Sequence, residues 1–216
     1  MKNDHDIAVY FLVRMKKLPA RFYANPDVIA IAKALLGKVL VTNIDGIYTA
    51  AMIVETEAYA GVGDRASHAF GGRNTNRTQV MYRHGGVAYV YLCYGIHHLF
   101  NVVTNLEGTP HAVLVRAAQP LNGVDAMLHR RGKEKLTPAL TAGPGAMSAA
   151  LGVTTALTGT SLLSEELYIE DRGIVIGEAE IVTGTRVGVA YAKEDALQPY
   201  RFWIKGNQYV SKAKGL

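Results

Sequence analysis

Residues 48–59, YTAAMIVETEAY, constrain the fold more than any other stretch. They read as one strand. Period-2 alternation then puts Ile53, Glu55, Glu57 and Tyr59 on one face and Met52, Val54, Thr56 and Ala58 on the other. Two carboxylates and a phenol along one side of an otherwise apolar strand are costly unless that side lines a polar cleft or meets cations. Residues 38–42 (KVLVT) supply a neighbouring strand, joined to it through turn-forming residues 43–46 as an antiparallel hairpin. Two readings of the carboxylates stand side by side: ion pairs with arginines on a sheet surface, or acid–base chemistry in a site.

The flanking text is that of a globular chain. Asn25-Pro26-Asp27 predicts a helix start with Asn25 as cap and Pro26 first in the helix. Ile29, Ala32, Leu35 and Leu36 follow at helical spacing, and Gly37 ends the run. Residues 61–72 form a Gly-rich loop carrying Asp64, Arg65 and His68, able to bring backbone close to a ligand. Arg73, Arg77 and Arg83, interleaved with Asn74, Thr75 and Asn76, suit phosphate contacts or a solvated loop equally. Residues 87–94 (VAYVYLCY) make the strongest strand, with Tyr89, Tyr91 and Cys93 on one side. Val90, Leu92 and Tyr94 take the other. Gly95 turns the chain back, leaving Tyr94 at a hairpin tip, where a large ring gains little from folding and is either an accident of the turn or a wedge between bases.

Residues 111–118 (HAVLVRAA) predict a buried strand whose Arg116 either emerges at the strand end or needs a carboxylate, Glu55 or Glu57 being the candidates. A helix is expected over 121–131, with a basic run of Arg130, Arg131, Lys133 and Lys135 reading as a solvated face. Thr141-Ala142-Gly143-Pro144-Gly145 opens a further helix to Leu151, its first amides forming an anion site. Residues 167–176, 178–183, 185–191 and 200–204 read as short strands.

At 216 residues with 49% hydrophobic and 19% charged side chains, the chain has material for one domain with a real core rather than a disordered segment. Its one cysteine, Cys93, excludes an internal disulfide framework. Cys93, His97 and His98 lack a second Cys or His pair at zinc spacing, so no metal site is expected. The formal charge of +5 is accounted for between Ala60 and Lys135, where nine Lys and Arg face four Asp and Glu. That bias fits a polyanionic partner or a solvated basic face. No transmembrane span or secretion signal is read, the apolar run 7–13 being short and preceded by Asp4 and Asp6. Residues 1–17 are expected to form a poorly ordered leader, 18–211 a single domain, and 212–216 a tail.

Several ordered motifs together carry a resemblance. ARFYANPDVIAIAKALLGKVL, VETEAYAGVGDRASHAFGGRNTNR, VYLCYGIHHLFNVV, VLVRAAQPL, AGPGAM, TRVGVAYA and PYRFWIKGNQYVS make the chain, from about Leu18 to Ser211, similar to the alkyladenine (3-methyladenine) DNA glycosylase family of mixed α/β type. The resemblance implies an α+β fold: one compact domain with a curved, mainly antiparallel sheet flanked by helices. It implies excision of alkylated or deaminated purines, of the 3-methyladenine, hypoxanthine or ethenoadenine type, by flipping the nucleotide and hydrolysing its N-glycosidic bond. By the same resemblance Glu57 is the general base, and Arg116 with a backbone carbonyl at Val187 positions the attacking water. Tyr59, His68 and Tyr91 wall the base pocket, Asn101 disfavours normal guanine, and Tyr94 fills the gap in the duplex. Arg73, Arg77, Gly143 and Gly145 are expected on the DNA backbone. The family commonly has a long polar residue after the GPG turn, where this chain has Ala146 and Met147.

The expected partner is duplex DNA with damaged purines, bound by a monomer without cofactor or membrane. The expected location is the cytoplasm, at the nucleoid in a prokaryote. No lysine joins the constellation, so a Schiff-base nucleophile and strand nicking are not expected. A non-catalytic basic nucleic-acid-binding module is the rival, and a hydrolase of free nucleosides a third reading.

Overall fold

A computed structural model describes residues 16–213 and 215. The leader expected over 1–17 and the apolar run at 7–13 lie outside these residues, except that Lys16–Lys17 forms a short strand, β1, paired with residues 170–171. Helices α1 (Ala20–Tyr23) and α2 (Val28–Ala34) precede a hairpin of β2 (Val39–Ile44) and β3 (Ile47–Tyr59). Next come β4 (Ala88–Cys93), β5 (His97–Thr104), β6 (His111–Asn122), α3 (Val124–Arg131) and α4 (Pro144–Leu151). β7 (Leu167–Asp171), β8 (Ile181–Gly184) and β9 (Arg201–Ile204) complete the chain. The strands form one antiparallel sheet in the order β1-β7-β2-β3-β6-β5-β4, with β9 against the second half of β3 and β8 against β9. The fold is α+β, as expected.

The central strand β3 departs from simple alternation. Its pairing with β6 shifts register between Ile53 and Glu55, leaving Val54 without an opposed residue. At the same place its other edge changes partner, from β2 to β9. A bulge of this kind reverses which parity faces which side. Ala51 and Ile53 before it, and Val54 and Ala58 after it, all enter the main core. Ile53 therefore does not share a face with Glu55, Glu57 and Tyr59. Those three join the side of Ala50 and Met52.

In β4, β5 and the first half of β6 the alternation is regular. Val113 and Val115, Phe100 and Val102, and Ala88 and Val90 point into the core. There they meet Ile31, Ala32 and Leu35 of the α2 region, Met127 of α3, and Met147, Ala150 and Leu151 of α4. The helices thus cover one face of the sheet. The opposite face is left for the site.

Local chemistry moved several element ends. The cap of α2 is Asp27, whose Oδ1 accepts from the amides of Ile29 and Ala30, both at 2.9 Å, while Asn25 accepts from Asp27 N–H. Placing the helix start at Asn25 was two residues early, because Asp27 is the residue able to bond both first-turn donors. The expected helix 121–131 starts at Val124, since β6 continues to Asn122 and turns at Gly123. A Cβ there would stand 2.3 Å from the Tyr48 carbonyl, at a φ of +71°. The run 167–176 is a strand only to Asp171, and 185–191 is not a strand. Of the basic run, Arg130 and Arg131 donate to the carbonyls of Ala150 and Leu140, so they tie the α3 end to α4 and its approach rather than forming a purely solvated face.

Candidate active site

Residues opposed across neighbouring strands point the same way, and one such row crosses the sheet. Arg201, Glu57, Leu114, Asn101 and Tyr89 stand opposite one another along β9, β3, β6, β5 and β4. Above this row, on the face away from the helices, is a cavity of about 450 Å³. Tyr59, His68, Tyr91, Asn101, Arg116 and Val187 all line it. The sheet supplies its floor, and the loops carrying His68 and Val187 its walls.

Glu57 lies beneath that lining, wholly buried. Its Oε1 accepts from the Val187 amide at 2.8 Å and pairs with Arg116 Nη1 at 3.2 Å. Its Oε2 accepts from the Tyr59 hydroxyl at 2.8 Å. Val187 thus contacts Glu57 through its N–H. Burial, and next the Glu57 charge, push the Tyr59 hydroxyl well above the usual phenol range, so it stays a donor.

Glu55 is also wholly buried but differently held. Its Oε1 accepts from Arg116 Nε and Arg201 Nε at 2.8 Å and from Ser211 Oγ at 2.9 Å. Its Oε2 accepts from the Ser211 amide at 2.7 Å. Arg116 is therefore shared by both acids, which merges the two partners the sequence left open. It has no opposed residue on β3, because β6 shifts register there.

The base-pocket candidates converge on one wall. His68 Nδ1 is 2.7 Å from the Tyr89 hydroxyl, and the His68 ring meets Tyr91 edge-on at 4.6 Å. Burial, then the charges of Arg77 and Arg73, lower the His68 pKa to about 4, leaving the ring neutral near pH 7. Asn101 spends its Nδ2 hydrogens on the carbonyls of Tyr89 and Leu99. Tyr89 was on the predicted face beside Tyr91 without being singled out; alternation already carried that signal.

Tyr94 lines the same cavity but is 89% exposed, at the turn between β4 and β5 with a φ of +51°. Leu92 and Ile96 beside it are exposed too. Arg73 and Arg77 are both exposed, and Arg77 also lines the cavity with its Cζ 5.0 Å from the Tyr91 ring. Arg83 donates to the Gly159 carbonyl. Gly143 caps α4 at a φ of +131°, and Gly145 makes room for His97, whose ring a Cβ would approach to 2.9 Å. His98 accepts from the Thr155 amide. Among the described residues no group of three His, Cys, Asp or Glu could hold a metal, and no helix is long and apolar enough to cross a membrane. Arg201 and Ser211 were not foreseen, since contacts across such sequence distances leave no local signal.

Comparison with known proteins gives a consistent result. The family model described as methylpurine-DNA glycosylase matches residues 21–208. A protein of Desulfitobacterium hafniense (strain Y51) is 44% identical over 204 residues, covering 91% of this chain and 99% of that one. Another from Bacillus thuringiensis (strain Al Hakam) is 44% identical over 202 residues, covering 90% and 98%. Both are named, by inference, as 3-methyladenine DNA glycosylases.

Proposed function

Since the chain belongs to the methylpurine-DNA glycosylase family, we propose that it is a monofunctional purine DNA glycosylase using a water activated by Glu57. Its substrates are alkylated or deaminated purines flipped from duplex DNA, and its product is an abasic site. The observation that carries the reading is the grip on Glu57. A carboxylate offers roughly four acceptor positions; Val187 N–H, Arg116 and the Tyr59 hydroxyl occupy three. The fourth is assigned to the attacking water, with Tyr59, Arg116 and Val187 all lining the cavity.

In the reaction the bond from the sugar C1′ to the purine nitrogen breaks, and the purine keeps the electron pair. The sugar becomes oxocarbenium-like, and the buried carboxylate stabilises that charge. Water adds at C1′ while its proton passes to Glu57. An alkylated purine leaves as the neutral base because the bonding pair cancels its positive charge; an uncharged purine takes a proton from solvent, to which Glu57 afterwards returns the one it accepted. Tyr59, Tyr91 and neutral His68 offer ring faces and hydrogen bonds to the flipped base, and Tyr94 occupies the vacated stack. Asn101 excludes guanine by its bulk, its Nδ2 hydrogens being committed to backbone carbonyls.

The test is Glu57→Gln assayed on duplexes carrying hypoxanthine or a methylated purine. Single-turnover excision is expected to fall by about 10²–10⁴-fold, with duplex affinity held within a few-fold. Excision at the wild-type rate would remove Glu57 from the mechanism, and strand nicking by the unmodified protein would remove the monofunctional assignment.

A further inference from the structure

Arg186 heads the large side chains that are fully buried, and the chemistry above makes no use of it. It does not line the cavity, yet it adjoins Val187 in sequence and stands behind Tyr59 in space. Its Nη1 donates to the Ala58 carbonyl at 3.0 Å, between Glu57 and Tyr59 on β3. The two Nη atoms hold Asp64 in a fork, at 2.5 and 2.9 Å. Nη2 also donates to the Asp195 carbonyl at 3.0 Å. Its Cζ is 4.9 Å from the Tyr59 ring centroid and 5.2 Å from that of Tyr200. Asp64 in turn accepts from the amides of Ala60 and Ala66.

A buried ion pair is a poor way to gain stability alone, because apolar side chains of similar volume often serve as well or better. What this one holds is specific. Of the three groups gripping Glu57, the Val187 amide follows Arg186 directly and the Tyr59 hydroxyl belongs to the ring it covers.

We propose that Arg186 is a positioning residue for base excision. Its planar fork fixes the Val187 turn, the Ala58 carbonyl and the Tyr59 ring to one another, and so orients the Glu57 carboxylate. This rests on the glycosylase reading of Glu57. Lysine would keep the charge facing Asp64 but lose the fork and the planar stack.

The experiment compares the full-length protein with Arg186→Lys and with the charge-free pair Arg186→Met/Asp64→Asn. Single-turnover excision from a hypoxanthine duplex, duplex affinity and hydrogen exchange of the Val187 amide are read on each. Excision is expected to fall about 10- to 100-fold at unchanged affinity, with Val187 protection falling by a similar factor while the rest of the sheet stays protected. A folded variant with wild-type excision and wild-type Val187 exchange overturns the proposal. So does failure of both variants to fold, which would make the residue's role structural. Should the wild-type protein itself release no damaged purine, the glycosylase reading falls. Val187 exchange then still separates the two ideas: lost protection in the variants keeps the positioning of Glu57, and retained protection removes it.

Discussion

Glu55 and Glu57 have identical side chains two residues apart, and their neighbours assign them different work. Glu55 accepts four bonds, three on Oε1 from Arg116, Arg201 and the Ser211 hydroxyl and one on Oε2 from the Ser211 amide, so two guanidinium groups neutralise it, whereas Glu57 meets only Arg116. Glu55→Gln would put an amide among donors and leave two guanidinium groups short of charge. It is expected to cost about 3–5 kcal/mol in urea unfolding; a loss under about 1 kcal/mol would show that the cluster is not what holds the strands there. His68 gives a prediction in pH. Its folded pKa of about 4 lies below the ordinary imidazole value of 6.5, so the unfolded chain binds more protons between those values. Stability is then full above about 6.5 and declines as pH falls toward about 4. His68→Gln should make the drop in urea midpoint from pH 7 to pH 5 shallower, and an unchanged drop would assign the acid sensitivity elsewhere. The acids, Arg116 and the tyrosines were legible because each is an expensive residue in an apolar strand. Arg186 was not. In the text TRVGVAYA it alternates as an exposed strand residue would, and only Asp64, far back in the chain, turns it inward.

At the scale of elements, two irregularities aim the site. The bulge at Val54 turns the acids of β3 away from the helices, and a run of small and β-branched residues gives no warning of it. The expected strand 185–191 failed for a related reason. Its valines suit β structure, but the segment must turn to deliver both the Val187 amide and the Arg186 fork, and tertiary context outweighs β propensity. The hairpin tip, by contrast, was plain from Gly95 and the flanking alternation. There Tyr94 holds a left-handed φ of +51°, which costs a non-glycine residue roughly 1–2 kcal/mol. Tyr94→Gly removes that strain, partly offset by glycine's looser unfolded state. The folded protein should therefore melt within a few degrees of wild type, or higher, while a fluorescent base analogue reports a weaker flipped complex. Wild-type flipping by this variant would end the wedge role.

Across the whole molecule the same alternation repeats from β3 through β6, β5 and β4. Over that span each strand sends one set of side chains mainly to the helices and the other to the cavity side of the sheet, so packing and the site share the sheet without competing for positions. That arrangement leaves one edge to be closed by chain from far away. β9 pairs with Glu55 and Glu57, and Ser211, just beyond it, donates to Glu55 through both its amide and its hydroxyl. Glu57 is thus reached from Ser211 in three steps: Ser211 to Glu55, Glu55 to Arg116, and Arg116 to Glu57. A chain ending at Val210 should consequently lose excision by more than about tenfold and unfold about 1–3 kcal/mol more easily, each lost donor leaving part of a buried charge unsatisfied. A chain ending at Ala213, which keeps Ser211, is the control. Equal single-turnover rates for the two would show that the far end of the chain closes the fold without reaching the chemistry.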